Sequence, residues 1–340
     1  MRYDISLMPG DGIGPELTDA TLNVLDEIQK KYNIKLNFMS VEGGDECKKN
    51  RGVALPEESI ETIKKSHACI KGPVGETAAA VIVKLRILFD LYAGIRPIKS
   101  YPNTRSIRND IDILFVRENT EGLYKGLEFA VNDETMICMR VITKKACERI
   151  AKYAFEQAKK RGKDMKVTAV HKSNVMQKTD GLFAKTCNEI AKKYPEIKLD
   201  ELYVDAAAMQ LIKRPHEFDV IVTTNMFGDI LTDEAAILVG GLGMAPGANI
   251  GDNFAIFEPI HGSAPKYAGK KITNPTSMIL ASSLMLDWLG QKYNDSHCIE
   301  AAKSIETALI NTLKKGVLTK DLGGETKTDD FGREIVKRII

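Results

Sequence analysis

Two aspartates, Asp229 and Asp233, stand four residues apart in the run Asn225-Met226-Phe227-Gly228-Asp229-Ile230-Leu231-Thr232-Asp233-Glu234. On a helix they share one face, where two like charges repel. A hard divalent cation bound by their oxygens removes that penalty. Acids near a helix N-terminus are also favoured by the macrodipole alone, so spacing by itself leaves both readings open. Arg86, Arg96 and Arg117 fall on a helix, a strand start and a strand end. Arginine is the side chain best suited to hold a carboxylate through two parallel hydrogen bonds. Arg117 opens a polar run, Arg117-Glu118-Asn119-Thr120-Glu121-Gly122-Leu123-Tyr124, just after a buried strand. Loops at strand C-terminal ends are where α/β sites gather. A fourth segment, Glu258-Pro259-Ile260-His261-Gly262-Ser263-Ala264-Pro265-Lys266-Tyr267-Ala268-Gly269, is a loop of small residues that leads to Asn274-Pro275. Such a loop exposes backbone N–H groups that phosphates can use.

Short apolar strands alternating with amphipathic helices must position these residues. Strands are predicted over 5–8, 113–117, 166–170 and 218–223, with a strand end at Cys69-Ile70-Lys71-Gly72. Helices are predicted over 57–65, 76–90, 143–161, 180–193, 228–238, 275–290 and 296–314. That alternation implies an α/β protein with a mostly parallel sheet. Pro15 marks the start of another helix, with Leu17, Leu22, Val24, Leu25 and Ile28 along its apolar stripe. The turn before it, Gly10-Asp11-Gly12-Ile13-Gly14-Pro15-Glu16, imitates a Rossmann glycine loop. The pattern fails because Pro15 stands where a third glycine is required. Gly240-Gly241-Leu242-Gly243 with Pro246-Gly247 is the best candidate for a hinge.

Composition narrows the class. The chain has 340 residues, enough for two lobes sharing a core. Its 48 basic and 46 acidic residues nearly cancel and only 6% are aromatic, which speaks against a nucleic-acid or anionic-membrane surface. The six cysteines show no zinc spacing and no Cys-x-x-Cys pair, as expected of free thiols in a reducing, cytoplasmic setting. No signal peptide is expected from the N-terminus. The longest apolar stretch, 78–89, is interrupted by Lys84 and Arg86 and cannot span a bilayer.

Taken together, these segments resemble the β-decarboxylating dehydrogenases: the isocitrate, isopropylmalate and homoisocitrate enzymes. The resemblance runs from Gly10 to Gly324 and is most specific over Asn225–Glu234, Gly240–Gly243 and Asn249-Ile250-Gly251. His171-Lys172-Ser173-Asn174-Val175 and His261-Gly262-Ser263-Ala264-Pro265 add to it. It implies a two-lobe α/β fold, not a Rossmann fold, with a cleft between the lobes. Residues 1–92 plus 240–340 would form the cofactor-binding lobe, and 93–239 the metal-binding and dimerisation lobe. It implies a homodimer or higher homo-oligomer with shared active sites. Arg86, Arg96 and Arg117 would hold the carboxylates of a malate-type small-molecule substrate. Asp229 and Asp233, with Asp205 from the partner, would bind Mg²⁺ or Mn²⁺. Tyr124 and the partner's Lys172 would be the acid–base pair. Glu258, His261, Gly262, Ser263, Ala264, Lys266, Tyr267 and Asn274 would hold the cofactor.

Substrate choice turns on the helix before Arg86. Isocitrate enzymes carry Ser and Asn six and four residues before that arginine, where this chain has Ala80 and Ile82. Ile82 and Val83 match the apolar positions that receive the isopropyl group of 3-isopropylmalate, and the run 71–86 looks archaeal in type. The Arg117–Gly122 loop resembles the isocitrate and homoisocitrate version as well, which keeps isocitrate as the alternative. Lys266-Tyr267 matches the NADP-specific pair, where NAD enzymes place an aspartate. The usual second cation is missing, since its position falls near Gly324. NADP is therefore expected in preference to NAD.

Overall fold

A computed structural model describes residues 1–340. One sheet of ten strands runs through it: β1 (Arg2–Met8), β2 (Lys35–Ser40), β3 (Ala68–Lys71), β4 (Ala93–Lys99), β5 (Asp112–Glu118), β8 (Lys166–His171), β9 (Lys198–Tyr203), β10 (Val220–Thr223), β11 (Pro246–Ile250) and β12 (Ala255–Pro259). A separate hairpin is formed by β6 (Glu128–Asn132) and β7 (Thr135–Cys138). The helices are α1 (Gly14–Tyr32), α2 (Asp45–Arg51), α3 (Glu57–Lys65), α4 (Lys84–Leu88), α5 (Lys144–Arg161), α6 (Thr179–Ala191), α7 (Val204–Lys213), α8 (Asn225–Leu238), α9 (Thr276–Tyr293), α10 (Ser296–Lys314) and α11 (Thr328–Val336). None is long and apolar enough to cross a membrane.

The sheet order is β2-β1-β3-β12-β11-β4-β5-β10-β8-β9. Strands from the two ends of the chain make one half and strands from the middle make the other. Both halves are parallel, and the antiparallel contacts lie between them, at β12-β11, β11-β4 and β4-β5. The two halves share core: Ile5, Val116, Phe155, Phe257 and Leu286 belong to one buried apolar cluster. Because β5, β10, β8 and β9 are parallel, their C-terminal ends fall along one rim. Residues that follow those ends, including Tyr124, Asn225, Lys172 and Asp205, are thereby brought to the same side of the sheet.

Local sequence explains most elements. Helix α1 begins with Pro15 in its first turn and buries Leu17, Val24, Leu25 and Ile28, while Leu22 is only partly covered; Asn33 ends it in the left-handed conformation. The predicted helices at 57–65, 143–161 and 296–314 form within a residue of those limits. Three expectations need correction. The helix expected over 76–90 is a π turn, Ala79–Val83, running into the short α4. Such turns widen a helix and recur at functional sites. Helix α8 starts at Asn225 rather than 228. Pro246-Gly247, expected in a crossing or hinge stretch between elements, is itself the start of strand β11, where proline costs no interior ladder bond.

Candidate active site

The three arginines converge on one cleft of about 330 Å³, lined also by Ile82, Val83, Tyr124, Asp229 and Asp233. All three are buried, yet they are occupied differently. Arg117 Nε and Nη2 both donate to Asn225 Oδ1, at 3.2 and 2.6 Å, and Nη1 pairs with Asp229. Gly228 makes this possible: a Cβ there would lie 2.6 Å from Arg117 Cγ. Arg86 Nε donates to Asn249 Oδ1 at 2.8 Å, and its Nη2 lies 3.4 Å from Glu258 Oε1. Arg96, only 6% exposed, has no hydrogen-bonding or ion-pair partner in the chain. Burial and the neighbouring Arg117 push its guanidinium below the usual range. It is a buried cation awaiting an anion.

Glu258 lies among these cations. Lys71 Nζ is 2.8 Å from its Oε2, and Asn249 Nδ2 donates to its Oε1 at 2.7 Å. Burial alone would raise this carboxyl; Lys71, Arg86 and Arg96 overcome that and hold it at about 2. Removing one partner of such a buried set leaves the others uncompensated. Glu258→Gln is therefore expected to destabilise the protein by roughly 3–5 kcal/mol at neutral pH. A carboxylate whose folded pKa lies below its ordinary 4.5 stabilises fully above that value and loses its contribution as pH falls towards about 2. The gap between variant and wild type in urea melts should shrink over that acidic window; a gap independent of pH would refute the ion-pair account.

The two aspartates on α8 behave unequally. Asp229 accepts from the Tyr124 hydroxyl at 2.5 Å as well as from Arg117. Burial would raise its carboxyl, but Arg117, Tyr124 and Arg96 lower it. Asp233 has no partner in the chain. Partial burial pushes its carboxyl up, Arg96 opposes this, and the charge on Asp229 adds to the rise. Two carboxylates one turn apart, one of them unpartnered, suit a divalent cation. No third Asp, Glu, His or Cys joins them to form a metal-binding cluster within the chain. Burial and the bond to Asp229 raise the Tyr124 hydroxyl above its ordinary value, so it holds a proton to donate.

Lys172 and Asp205 are not among the residues that line this cleft. They pair with each other instead, and Asp205 is two-thirds exposed. A second, larger cavity of about 640 Å³ adjoins the cleft, with His261 and Gly262 lining both. Ala264, Tyr267, Asn274, Lys320 and Asp321 also line it. Ser263 is buried, and its carbonyl accepts from Ile13 N–H at 2.9 Å, fixing the loop against the glycine turn. Lys266 is exposed beside this cavity, its Nζ 5.5 Å from the centre of the Tyr267 ring. Glu258 faces the cleft and its cations rather than the larger cavity.

Sequence reasoning missed Lys71 and the roles of Asn225 and Asn249. A lysine ending a buried strand before Gly72-Pro73 was the one available signal for the first. Of the two positions compared with isocitrate enzymes, Ile82 lines the cleft and Ala80 does not; Ala79 does, three and seven residues before Ile82 and Arg86 on the same helical face.

An arginine-floored cleft joined to a cavity of nucleotide size defines a class: this is an NAD(P)- and divalent-metal-dependent β-decarboxylating dehydrogenase acting on a small molecule. The chain belongs to the isocitrate/isopropylmalate dehydrogenase family, matching it over residues 4–335. It is 50% identical over 340 residues to the 3-isopropylmalate/3-methylmalate dehydrogenase of Methanocaldococcus jannaschii, covering 99% of both chains. It is 46% identical over 352 aligned positions to the homoisocitrate dehydrogenase of the same archaeon, covering 98% of this chain and 97% of that one. The solved isocitrate dehydrogenase of Methylococcus capsulatus superposes with a TM-score of 0.92 at 40% identity, over 99% of each chain.

Proposed function

We propose that the protein oxidatively decarboxylates 3-isopropylmalate, with NADP preferred over NAD and with Mg²⁺ or Mn²⁺ bound. The observation that carries this is the composition of the cleft: Val74, Ala78, Ala79, Ile82 and Val83 form an apolar wall in the same cleft as Arg86, Arg96 and Arg117. The arginines fit the two carboxylates of a malate core, and the wall fits a branched alkyl group. Asp229 and Asp233, with Asp205 of the partner subunit, would hold the metal. Bound metal supplies charge stabilisation at the C2 oxygen, and bound NADP supplies the hydride acceptor. The chain's own residues do the rest. Arg86, Arg96 and Arg117 orient the substrate, and the partner's Lys172 accepts the C2 hydroxyl proton. The Tyr124 hydroxyl returns a proton to the carbon left by the departing carboxylate.

Lys266 beside Tyr267 supports the NADP preference. The hairpin β6–β7, exposed along its whole length and carrying Phe129, Val131, Met136 and Ile137, supports a homodimer. Residues 1–92 plus 240–340 and 93–239 are proposed as its two lobes, and the cytoplasm, a reducing compartment, as its location; all six cysteines are free. Isocitrate is the second reading, favoured by the Arg117–Gly122 loop and by the superposition on an isocitrate enzyme.

The test is NADPH and NADH formation by purified protein with Mg²⁺, on 3-isopropylmalate and on isocitrate. Burying three carbons at ~0.8 kcal/mol each predicts at least a 50-fold higher kcat/KM for 3-isopropylmalate. Preference for isocitrate would overturn the apolar-pocket reading, and faster NADH formation would overturn the NADP assignment.

A further inference from the structure

Away from the cleft, a largely buried ion pair joins the partly covered Arg140 to Asp180. Asp180 is fully buried, and its second oxygen accepts the backbone N–H of Lys172 at 2.6 Å. Arg140 Nη1 also donates to Thr179 Oγ1 at 3.0 Å, and Nη2 donates to Thr224 Oγ1 at 2.9 Å. Its guanidinium lies 5.4 Å from the centre of the Phe227 ring. Thr224 is the residue from which α8 springs, next to the Asn225 that holds Arg117. The neighbouring Val141 exchanges backbone hydrogen bonds with Gly122, at 2.8 and 3.3 Å, two residues before Tyr124. Residues 140–141 thus touch the loop of Tyr124 and the start of the helix bearing Asp229, and reach the main chain of Lys172 through Asp180.

We propose that Arg140 is a positioning residue: through Asp180 it fixes the Lys172 main chain, and through Thr224 it ties that main chain to α8. The inference rests on the reading of Lys172 as proton acceptor. A buried ion pair is a poor device for stability alone, since apolar residues of similar volume do as well or better. What the planar, five-donor guanidinium adds is fixed geometry among several acceptors. Because Lys172 serves the partner's cleft while α8 serves its own, one guanidinium sets groups in two active sites.

The test compares kcat and KM for the hydroxy acid in the metal-loaded enzyme for Arg140→Met, Arg140→Lys, Thr224→Val and Lys172→Met. Arg140→Met is expected to lower kcat at least 10-fold with KM within threefold, and Arg140→Lys to recover most of that loss. Thr224→Val, which keeps the side-chain shape, should lower kcat about threefold. A kcat loss that only follows the folded fraction measured by circular dichroism would overturn the proposal. If Arg140→Met does not fold, Thr224→Val decides, and unchanged kcat there overturns it. Lys172→Met separates the two levels: if it keeps full kcat, the acid–base reading itself fails. If it collapses while Arg140→Met matches wild type, only the positioning role fails.

Discussion

Replacing Arg96 by Met is expected to lower kcat/KM for the hydroxy acid by roughly three orders of magnitude while leaving the free protein at least as stable. The activity loss follows from truncating one partner of a desolvated carboxylate–guanidinium pair, which costs roughly 2–5 kcal/mol, each 1.36 kcal/mol being tenfold in rate. The stability forecast runs the other way because Arg96 is buried with no ion-paired anion, and burial together with Arg117 outweighs the charges of Glu258, Asp229 and Asp233 around it. A cation in that state is a liability to the fold, and a thioether of similar length relieves it. Substrate supplies the missing anion, so substrate should raise the melting temperature of wild type but not of the variant. Kinetics and thermal melts with and without substrate decide this. A variant within tenfold of wild-type kcat/KM, or one that melts several degrees lower without substrate, would show that Arg96 is structural. Glu258→Gln provides the contrast, since there the removed charge has partners in the folded chain.

Chelation of divalent metal should abolish turnover, by roughly 10³-fold or more, and the two aspartates should then separate by substitution. Asp233→Asn removes a carboxylate with no partner that repels Asp229. It should weaken Mn²⁺ binding by more than the roughly 10–100-fold that loss of an outer-shell partner costs, and leave the melting temperature of the metal-free protein unchanged or higher. Asp229→Asn should also weaken Mn²⁺ binding, but with a lower melting temperature, because Arg117 is 1% exposed and loses its one ion pair. Calorimetric titration of Mn²⁺ into chelator-treated protein, followed by melts, reads both effects. Turnover that survives chelation, or unchanged Mn²⁺ affinity in Asp233→Asn, would remove the aspartates from the metal site.

Much of this was legible in the residues. The period of apolar positions located most of the helices, because burial on one face forces a stripe whatever lies opposite. Asp229 and Asp233 could be put on one helical face from their spacing alone. The π turn at Ala79–Val83 was not legible, because a widened turn keeps the same residue types and only shifts which of them face inward. The antiparallel strand β11 was hidden because its glycine and proline carry turn signals.

By itself the sequence determined the class of fold, the family and the residue types at the site, since these depend on local periodicity and on the order of motifs. Only the tertiary structure decided which charges are spent and which are free. Arg86, Arg96 and Arg117 read alike in sequence. Asn249 and Glu258 occupy the first, Asn225 and Asp229 the third, and nothing in the chain occupies the second. Those partners lie more than a hundred residues away along the chain. A Coulomb interaction depends on distance and burial in space, and chain separation carries neither.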